Sequence, residues 1–300
     1  MEDRINIVFV TDNNYSEQMI IAIESIVKNI KNNVQITIYI VNLNISKNNL
    51  DLIKSKYSDN SNVTIEIVNF AKSKVLEFDI KTHVSSAAYA KIYIPDLIPV
   101  EKIIYLDCDL ILNANILGLW TQFEEGIPIK AVWNPFYDYD NKYFEVSENY
   151  RTFNSGVMLM DLQLMRDQNI PQKLEEFLTE NHAKTKLHDQ AAFNAIFKYQ
   201  WSEIEVLWNC QVTMLQNSYK KLQISKRMYF KMFKNAKIIH FTSNSKPWQF
   251  RNCHPYKKKY KEIHESIFGE IKYRDLNLMS FLRKVREFFR YRISYLRNLL

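Results

Sequence analysis

The stretch Ile103-Ile104-Tyr105-Leu106-Asp107-Cys108-Asp109 constrains this chain more than any other. Four apolar, mostly β-forming residues run without interruption into two carboxylates two positions apart. An unbroken apolar run of this kind predicts a strand covered on both faces, as in parallel sheets. Charges are excluded from such a sheet. Asp107 and Asp109 therefore belong at its C-terminal edge, where open α/β sheets bind ligands. Two carboxylates held there repel each other unless a cation lies between them. The stretch reads as a metal site that receives a diphosphate.

The rest of the chain supplies the sheet. Ile5 to Val10 predicts a first buried strand, ending at Thr11-Asp12-Asn13-Asn14-Tyr15. A helix follows, with Met19, Ile23, Ile26 and Val27 at helical spacing. Val34 to Val41 predicts a second strand, Ser46 caps a helix reaching Tyr57, and Val63 to Val68 predicts a third strand. Ser85 or Ser86 is expected to open a helix through Ala87-Ala88-Tyr89-Ala90-Lys91 that Pro95 ends. Phe153-Asn154-Ser155-Gly156 leads into a buried strand, Val157 to Met160. Helices are expected near 171–181 and from Asp189-Gln190, then a short strand, Ile238 to Phe241, and a loop from Thr242 to Trp248. Strands alternating with helices predict an α/β fold, with a single mixed, mainly parallel, Rossmann-like sheet flanked by helices.

Composition narrows how a nucleotide is held. The only glycines are Gly118, Gly126, Gly156 and Gly269, which excludes a glycine-rich phosphate cradle. Cys108, Cys210 and Cys253 are odd in number and far apart, which suits a reducing compartment and no zinc site. The start, Met1-Glu2-Asp3-Arg4, does not read as a signal peptide, and no apolar stretch approaches the roughly 20 residues of a membrane span.

The net charge of +7 is unevenly placed. Residues 251–300 hold thirteen Lys/Arg against five Asp/Glu, while the first 250 hold the remaining 27 basic and 28 acidic residues. The basic pI thus concerns the tail, and no nucleic-acid partner is expected. From Leu278 to Leu300 the pattern is an amphipathic helix. Its apolar stripe includes Phe281, Val285, Phe289, Ile293 and Leu296, with Arg283, Arg286, Arg290, Arg292 and Arg297 on the remainder. Residues 276–300 read as an in-plane anchor on an anionic membrane surface. A helix docked on the body, or buried in a dimer, fits the same pattern.

His240 follows a short buried strand, so a second strand end brings an imidazole toward the two aspartates. Two carboxylates and one imidazole suit a hard divalent ion, and the imidazole favours Mn²⁺ over Mg²⁺. Taken singly, several residues have plainer explanations. Asp12 and Asn14 suit a helix cap, Tyr15 packing, Gly156 a turn, Asp189 a cap of its own helix, and Lys246 a solvated loop.

Taken together, the motifs resemble the family 8 retaining glycosyltransferases of GT-A fold. Among them the chain is similar to bacterial lipooligosaccharide α-galactosyltransferases, and more distantly to glycogenin. The matching stretches, in order, are Phe9 to Tyr15, Ala88 to Lys91, Tyr105 to Asp109, Phe153 to Val157, His188-Asp189-Gln190, and His240 through Lys246-Pro247-Trp248. The resemblance implies that Asp107, Asp109 and His240 bind Mn²⁺ (or Mg²⁺), with Cys108 between the two acids. Thr11, Asp12, Asn14 and Tyr15 would hold the uridine of a UDP-sugar, and Lys246 and Ser243 would lie at its diphosphate. Lys91, Asn154, Ser155, Gly156, Asp189 and Gln190 would face the donor sugar, with Gln190 near its anomeric carbon. The expected reaction moves glucose or galactose from UDP to a hydroxyl of a cell-surface glycan with retention. Gln190 is a poor nucleophile, which favours front-face departure and attack, with Asp189 the alternative covalent nucleophile.

Three departures from the family pattern stand out: Ser243 where Gly is usual, Lys91 where the bacterial relatives carry Arg, and Asn134 near a position of Asp. The competing expectations are an inverting enzyme using Asp138 or Asp140 as base, another nucleotide-sugar enzyme, or a non-catalytic subunit. Residues 1–250 are expected to form the catalytic domain and 251–300 a basic helical region. The expected location is cytoplasmic, on the inner face of the membrane.

Overall fold

A computed structural model describes residues 4–31, 34–70, 90–135, 150–181 and 188–299, the side chain of His188 excepted. The strands are β1 (Ile5–Thr11), β2 (Ile36–Asn42), β3 (Val63–Asn69), β4 (Lys102–Leu106), β5 (Leu110–Leu112), β6 (Ile129–Trp133), β7 (Phe153–Asp161), β8 (Trp201–Glu203), β9 (Cys210–Gln211) and β10 (Ile238–His240). The longer helices are α1 (Ser16–Val27), α2 (Lys47–Tyr57), α3 (Ile170–Asn181), α4 (His188–Ile196), α5 (Lys226–Asn235), α6 (Lys257–Phe268) and α7 (Leu278–Leu299). They fall into two compact units. The first is Met1–Met19, Lys31–Cys108 and Leu117–Ile204; the second is Ile20–Ile30, Asp109–Ile116 and Glu205–Leu300.

The first unit holds a seven-stranded sheet in the order β3-β2-β1-β4-β7-β6-β8. β1, β2, β3 and β4 run parallel, as does the β6–β8 pair, while β7 is antiparallel to both β4 and β6. The mixed, mainly parallel sheet expected from the alternating pattern is present. Ile103, Ile104, Tyr105 and Leu106 are all buried, as a strand covered on both faces requires. Burying each such side chain fully contributes about 1.5–3 kcal/mol. Val8, Val10, Tyr105, Met158 and Phe193 belong to one core cluster of this unit.

The reversal at β7 matters for function. Its register pairs Val157 with Leu106, so the strand begins where β4 ends. The amide of Asp107 donates to Gly156 O at 2.8 Å. Asn154, Ser155 and Gly156 are thereby carried to the same sheet edge as Asp107. Gly156 lies within the strand, so the turn explanation for it does not hold.

Ser46 caps α2 as expected, its side chain accepting from Asn49 N. Ser85 through Tyr89 fall outside the described residues. Lys91–Tyr93 is a 3₁₀ turn, and Pro95 stands in the first turn of a short helix, Ile94–Leu97, rather than ending one. A proline there forfeits no intrahelical hydrogen bond.

The second unit adds what the single-sheet expectation lacked, a three-stranded sheet in the order β5-β10-β9. β5 and β9 are three and two residues long, too short for any periodicity to announce them. Its long helix, α7, is seated on the unit by a mainly polar face. Ser280, Tyr291, Ser294 and Asn298 are buried, while Phe281, Leu282, Phe288, Phe289, Ile293 and Leu296 are each 45–55% exposed. Polar bonds hold it: Asn298 accepts from Tyr219 N at 2.8 Å, and the Ser294 and Tyr229 hydroxyls lie 2.9 Å apart. No helix of the described residues is long and apolar enough to cross a membrane.

Candidate active site

In the first unit the centre is Lys91. Its ammonium, only 3% exposed, donates to Asp189 Oδ2 at 2.7 Å, Ser155 O at 3.2 Å and Asp107 Oδ1 at 3.4 Å. Burial alone would lower its pKa, but Asp107 and Asp189 outweigh that and raise it. The ammonium therefore stays charged. Tyr105 lies two residues before Asp107 on the same strand face, and its hydroxyl donates to Asp107 Oδ1 at 2.8 Å. Burial first, then the Asp107 charge, pushes the Tyr105 phenol well above its ordinary range.

Asp189 stands in the first turn of α4, but its carboxylate is turned to Lys91 and to the Ser155 hydroxyl at 3.2 Å. Its capping explanation fails on those contacts. Gln190, buried beside it, accepts through Oε1 from Asn154 Nδ2 at 3.0 Å and Ser155 N at 3.2 Å. One helical turn on, Asn194 clasps the start of β7, accepting from Phe153 N and donating to Phe153 O. The side chains of 189 and 190 are thus fixed against β7 before any ligand arrives.

The uridine candidates lie at the C-terminal end of β1. Thr11 is buried, and Tyr15 is 39% exposed. Asp12 accepts from Asn14 N at 2.9 Å and Asn14 Nδ2 at 3.1 Å, closing a local turn rather than capping α1. Cys108 is buried with Sγ 3.9 Å from Val10 O, so the β1 and β4 ends are neighbours.

The chain passes into the second unit between Cys108 and Asp109. There Asp109 meets two cationic or proton-bearing partners. Oδ1 lies 3.1 Å from His240 Nε2, and Oδ2 accepts from Lys246 Nζ at 2.6 Å. Burial would raise the Asp109 pKa, but Lys246 and His240 hold it well below the usual carboxylate range. Lys246 also donates to Phe241 O at 2.6 Å, so it is not a solvated loop lysine. On its other side, His240 Nδ1 lies 3.0 Å from Asn209 Oδ1, a fully buried acceptor. That amide oxygen fixes the ring plane and turns Nε2 toward the Asp109 carboxylate. A ring nitrogen and a carboxylate oxygen 3.1 Å apart share a proton or a cation. Ligand atoms at ~2.1 Å from a six-coordinate divalent ion stand ~3 Å apart, so the donor pair fits such an ion. Ser243, in the following loop, bonds Ser245 through both its hydroxyl hydrogen and oxygen.

The sequence therefore places Lys91, Asp107, Asn154, Ser155, Gly156, Asp189 and Gln190 together in one unit, and Asp109, His240 and Lys246 together in the other. Asn134 is buried beside Thr152, whose carbonyl accepts its amide at 2.7 Å. Asp138 and Asp140 fall outside the described residues. Tyr105, Asn194 and Asn209 were missed. Strand parity with Asp107 and helical spacing from Gln190 would have found the first two. Nothing in the sequence marks Asn209.

The first unit thus carries a buried lysine shared by two acids at the end of a mixed α/β sheet, and the second carries an acid paired with an imidazole and a lysine. The chain belongs to glycosyl transferase family 8, whose profile matches residues 6–252. It is 29% identical over 268 residues to General stress protein A of Bacillus subtilis (strain 168), covering 86% of this chain and 92% of that one. It is 27% identical over 273 residues to a putative glycosyltransferase of Haemophilus influenzae, covering 88% and 80% respectively. Against the larger glycosyltransferase GlyA of Streptococcus pneumoniae it spans only 25% of that protein's length. Among solved structures, galactosyltransferase LgtC, in complex with donor and acceptor sugar analogues, superposes with a TM-score of 0.75 at 20% identity. That match covers 88% of this chain and 96% of LgtC, and it shows the GT-A fold.

Proposed function

We propose that the chain transfers glucose or galactose from a UDP-sugar to a hydroxyl of a cell-surface glycan, with retention of anomeric configuration and dependence on Mn²⁺ (or Mg²⁺). Asp107, Asp109 and His240 would hold the metal, offering two carboxylate oxygens and one imidazole nitrogen. The observation that carries the reading is the His240–Asp109 pair, whose nitrogen and oxygen stand 3.1 Å apart, the separation of two ligands of one six-coordinate divalent ion. Bound there, a divalent ion would offset the charge of a leaving diphosphate.

The chain's own groups do the rest. Lys246 adds a second positive charge at the same carboxylate. Thr11, Asp12, Asn14 and Tyr15 are proposed to take the uridine, with the Tyr15 ring as a flat face. Lys91, Asn154, Ser155, Gly156 and Gln190 face the sugar. The held geometry supports front-face substitution over a covalent intermediate. Asp189 Oδ2 is engaged by Lys91 at 2.7 Å and by the Ser155 hydroxyl at 3.2 Å, which lowers its nucleophilicity. Gln190 presents an amide whose oxygen already accepts two hydrogen bonds.

Residues 1–250 are proposed as the catalytic domain and 276–300 as an anchor on the inner face of the cytoplasmic membrane. Among the described residues, eleven of the thirteen exposed large hydrophobic side chains lie at positions 276–299, and that concentration favours an apolar surface as their partner.

The test is hydrolysis of UDP-glucose, UDP-galactose, UDP-GlcNAc and GDP-mannose with Mn²⁺ or EDTA. Metal-dependent turnover of a UDP-hexose, lost in Asp109→Asn, is expected. Equal turnover in EDTA, or preference for GDP-mannose, would overturn the reading. Anomeric NMR of the transferred product separates retention from inversion.

A further inference from the structure

Two cavities open along α7, both within the second unit. The larger, of about 710 Å³, is lined by Lys221, Arg286, Arg290 and Arg297 together with Phe289 and Ile293, and no carboxylate lines it. The smaller, of about 340 Å³, shares Arg286 and Arg290 and adds Arg251 and Arg283 beside the Ser243–Ser245 loop. Its one acid, Glu287, is already bonded by the Ser245 hydroxyl at 2.7 Å.

Four cations around one hollow repel each other, and an anion seated among them relieves that repulsion. Arg290 is held there only loosely, donating to Gln216 Oε1 at 3.4 Å. The apolar part of the wall identifies what carries the anion. Phe289 and Ile293 line the cavity and also belong to the exposed stripe, at 55% and 45% exposure. The hollow therefore borders the exposed apolar stripe on one side and the inward Ser294 and Asn298 on the other.

We propose that the larger cavity is a binding site for the phosphate headgroup of an anionic phospholipid, with the acyl chains lying along Phe289 and Ile293. The proposal rests on the membrane reading above and goes beyond it, because a built site differs from diffuse attraction to a charged surface. Diffuse attraction treats every exposed arginine of α7 alike. A built site does not. Arg292 is exposed on the same helix and lines neither cavity.

The experiment is flotation of the full chain with phosphatidylcholine vesicles, with and without phosphatidylglycerol. Arg290→Gln is compared with Arg292→Gln, and folding is checked by thermal melts. Removing one unit of diffuse charge lowers partitioning about fivefold. Losing a charge-assisted bond to a bound phosphate lowers it tenfold or more. Arg290→Gln is thus expected to fall at least tenfold and Arg292→Gln about fivefold or less. Dihexanoyl phosphatidylglycerol, kept below its micellar concentration, is expected to saturate the wild-type chain by NMR titration and not Arg290→Gln. Equal losses in the two variants overturn the site and leave the anchor standing. Inorganic phosphate displacing the soluble lipid at equal concentration overturns the lipid assignment. If the soluble lipid binds but vesicles do not, the anchor fails while the headgroup site stands.

Discussion

Replacing Lys91 with methionine keeps the length of its apolar stem and deletes the ammonium. The loss falls unevenly on its partners. Asp189, whose side chain is 13% exposed, loses a contact at 2.7 Å, whereas Asp107, at 32%, loses one at 3.4 Å and keeps its bond from Tyr105. Removing one member of a buried ion pair costs about 3–5 kcal/mol, because the other charge is left uncompensated. A partly solvated pair such as Lys91–Asp107 adds no more than about 1 kcal/mol. Lys91→Met is therefore expected to lose about 4 kcal/mol of stability. In Lys91→Met/Asp189→Asn no buried charge is stranded at position 189, and about 2–3 kcal/mol should return. Urea unfolding of wild type, the two single variants and the double variant yields the coupling energy directly. The Lys91 pKa is raised in the fold, so its contribution is complete below the ordinary lysine value and disappears only as pH climbs through the higher folded one. Coupling should be the same at pH 6 and pH 9. A coupling below about 0.5 kcal/mol would refute the reasoning, since that is the size of an exposed pair.

Other perturbations test separate parts of the structure. Burial pulls the His254 pKa down to about 3, while the unfolded chain takes up that proton near its usual value of 6.5. Stability present above pH 6.5 should drain away toward pH 3, and His254→Phe should flatten that loss in acid unfolding curves. Asn298→Ala removes the acceptor for Tyr219 N and a buried donor, so about 1–3 kcal/mol and the protease resistance of α7 should go together. Phe281→Ser/Phe289→Ser should release the chain from anionic vesicles without unfolding it, as both residues are exposed. Truncation at 276 is a poorer probe, because it uncovers the surface around Tyr229 that α7 buries. Tyr105→Phe strips one donor from Asp107, costs about 1 kcal/mol of stability, and should slow metal-dependent hydrolysis more than it destabilises.

The parts of the fold that were legible are those with long periods. The buried runs of β1, β4 and β7 were each read from apolar stretches, interrupted only by Asn6 in β1, and the Ser46 cap from its residue type. Short elements escaped, β5 and β9 because two or three residues carry no period. Pro95 misled because the same residue that ends a helix also starts one. The acids of the candidate site were legible from their position after β4. The clasp around them was not legible from spacing, because Lys91, Ser155 and Asp189 are far apart in the chain and meet through the antiparallel entry of β7; only the family resemblance grouped them. Helix α7 shows a deeper limit. An amphipathic stripe tells which face is apolar, and the usual assumption seats that face inward. Here Ser280, Ser294 and Asn298 face inward instead, held by specific hydrogen bonds that no hydropathy pattern foretells.

The most direct measurement is titration of UDP into the protein with Mn²⁺ followed by electron paramagnetic resonance, for wild type, Asp109→Asn and His240→Gln. We expect UDP and Mn²⁺ to bind together in wild type, with each promoting the other, and both to be lost in the two variants. UDP binding that is indifferent to the metal, or Mn²⁺ binding retained in both variants, would contradict a cation held at Asp109 and His240.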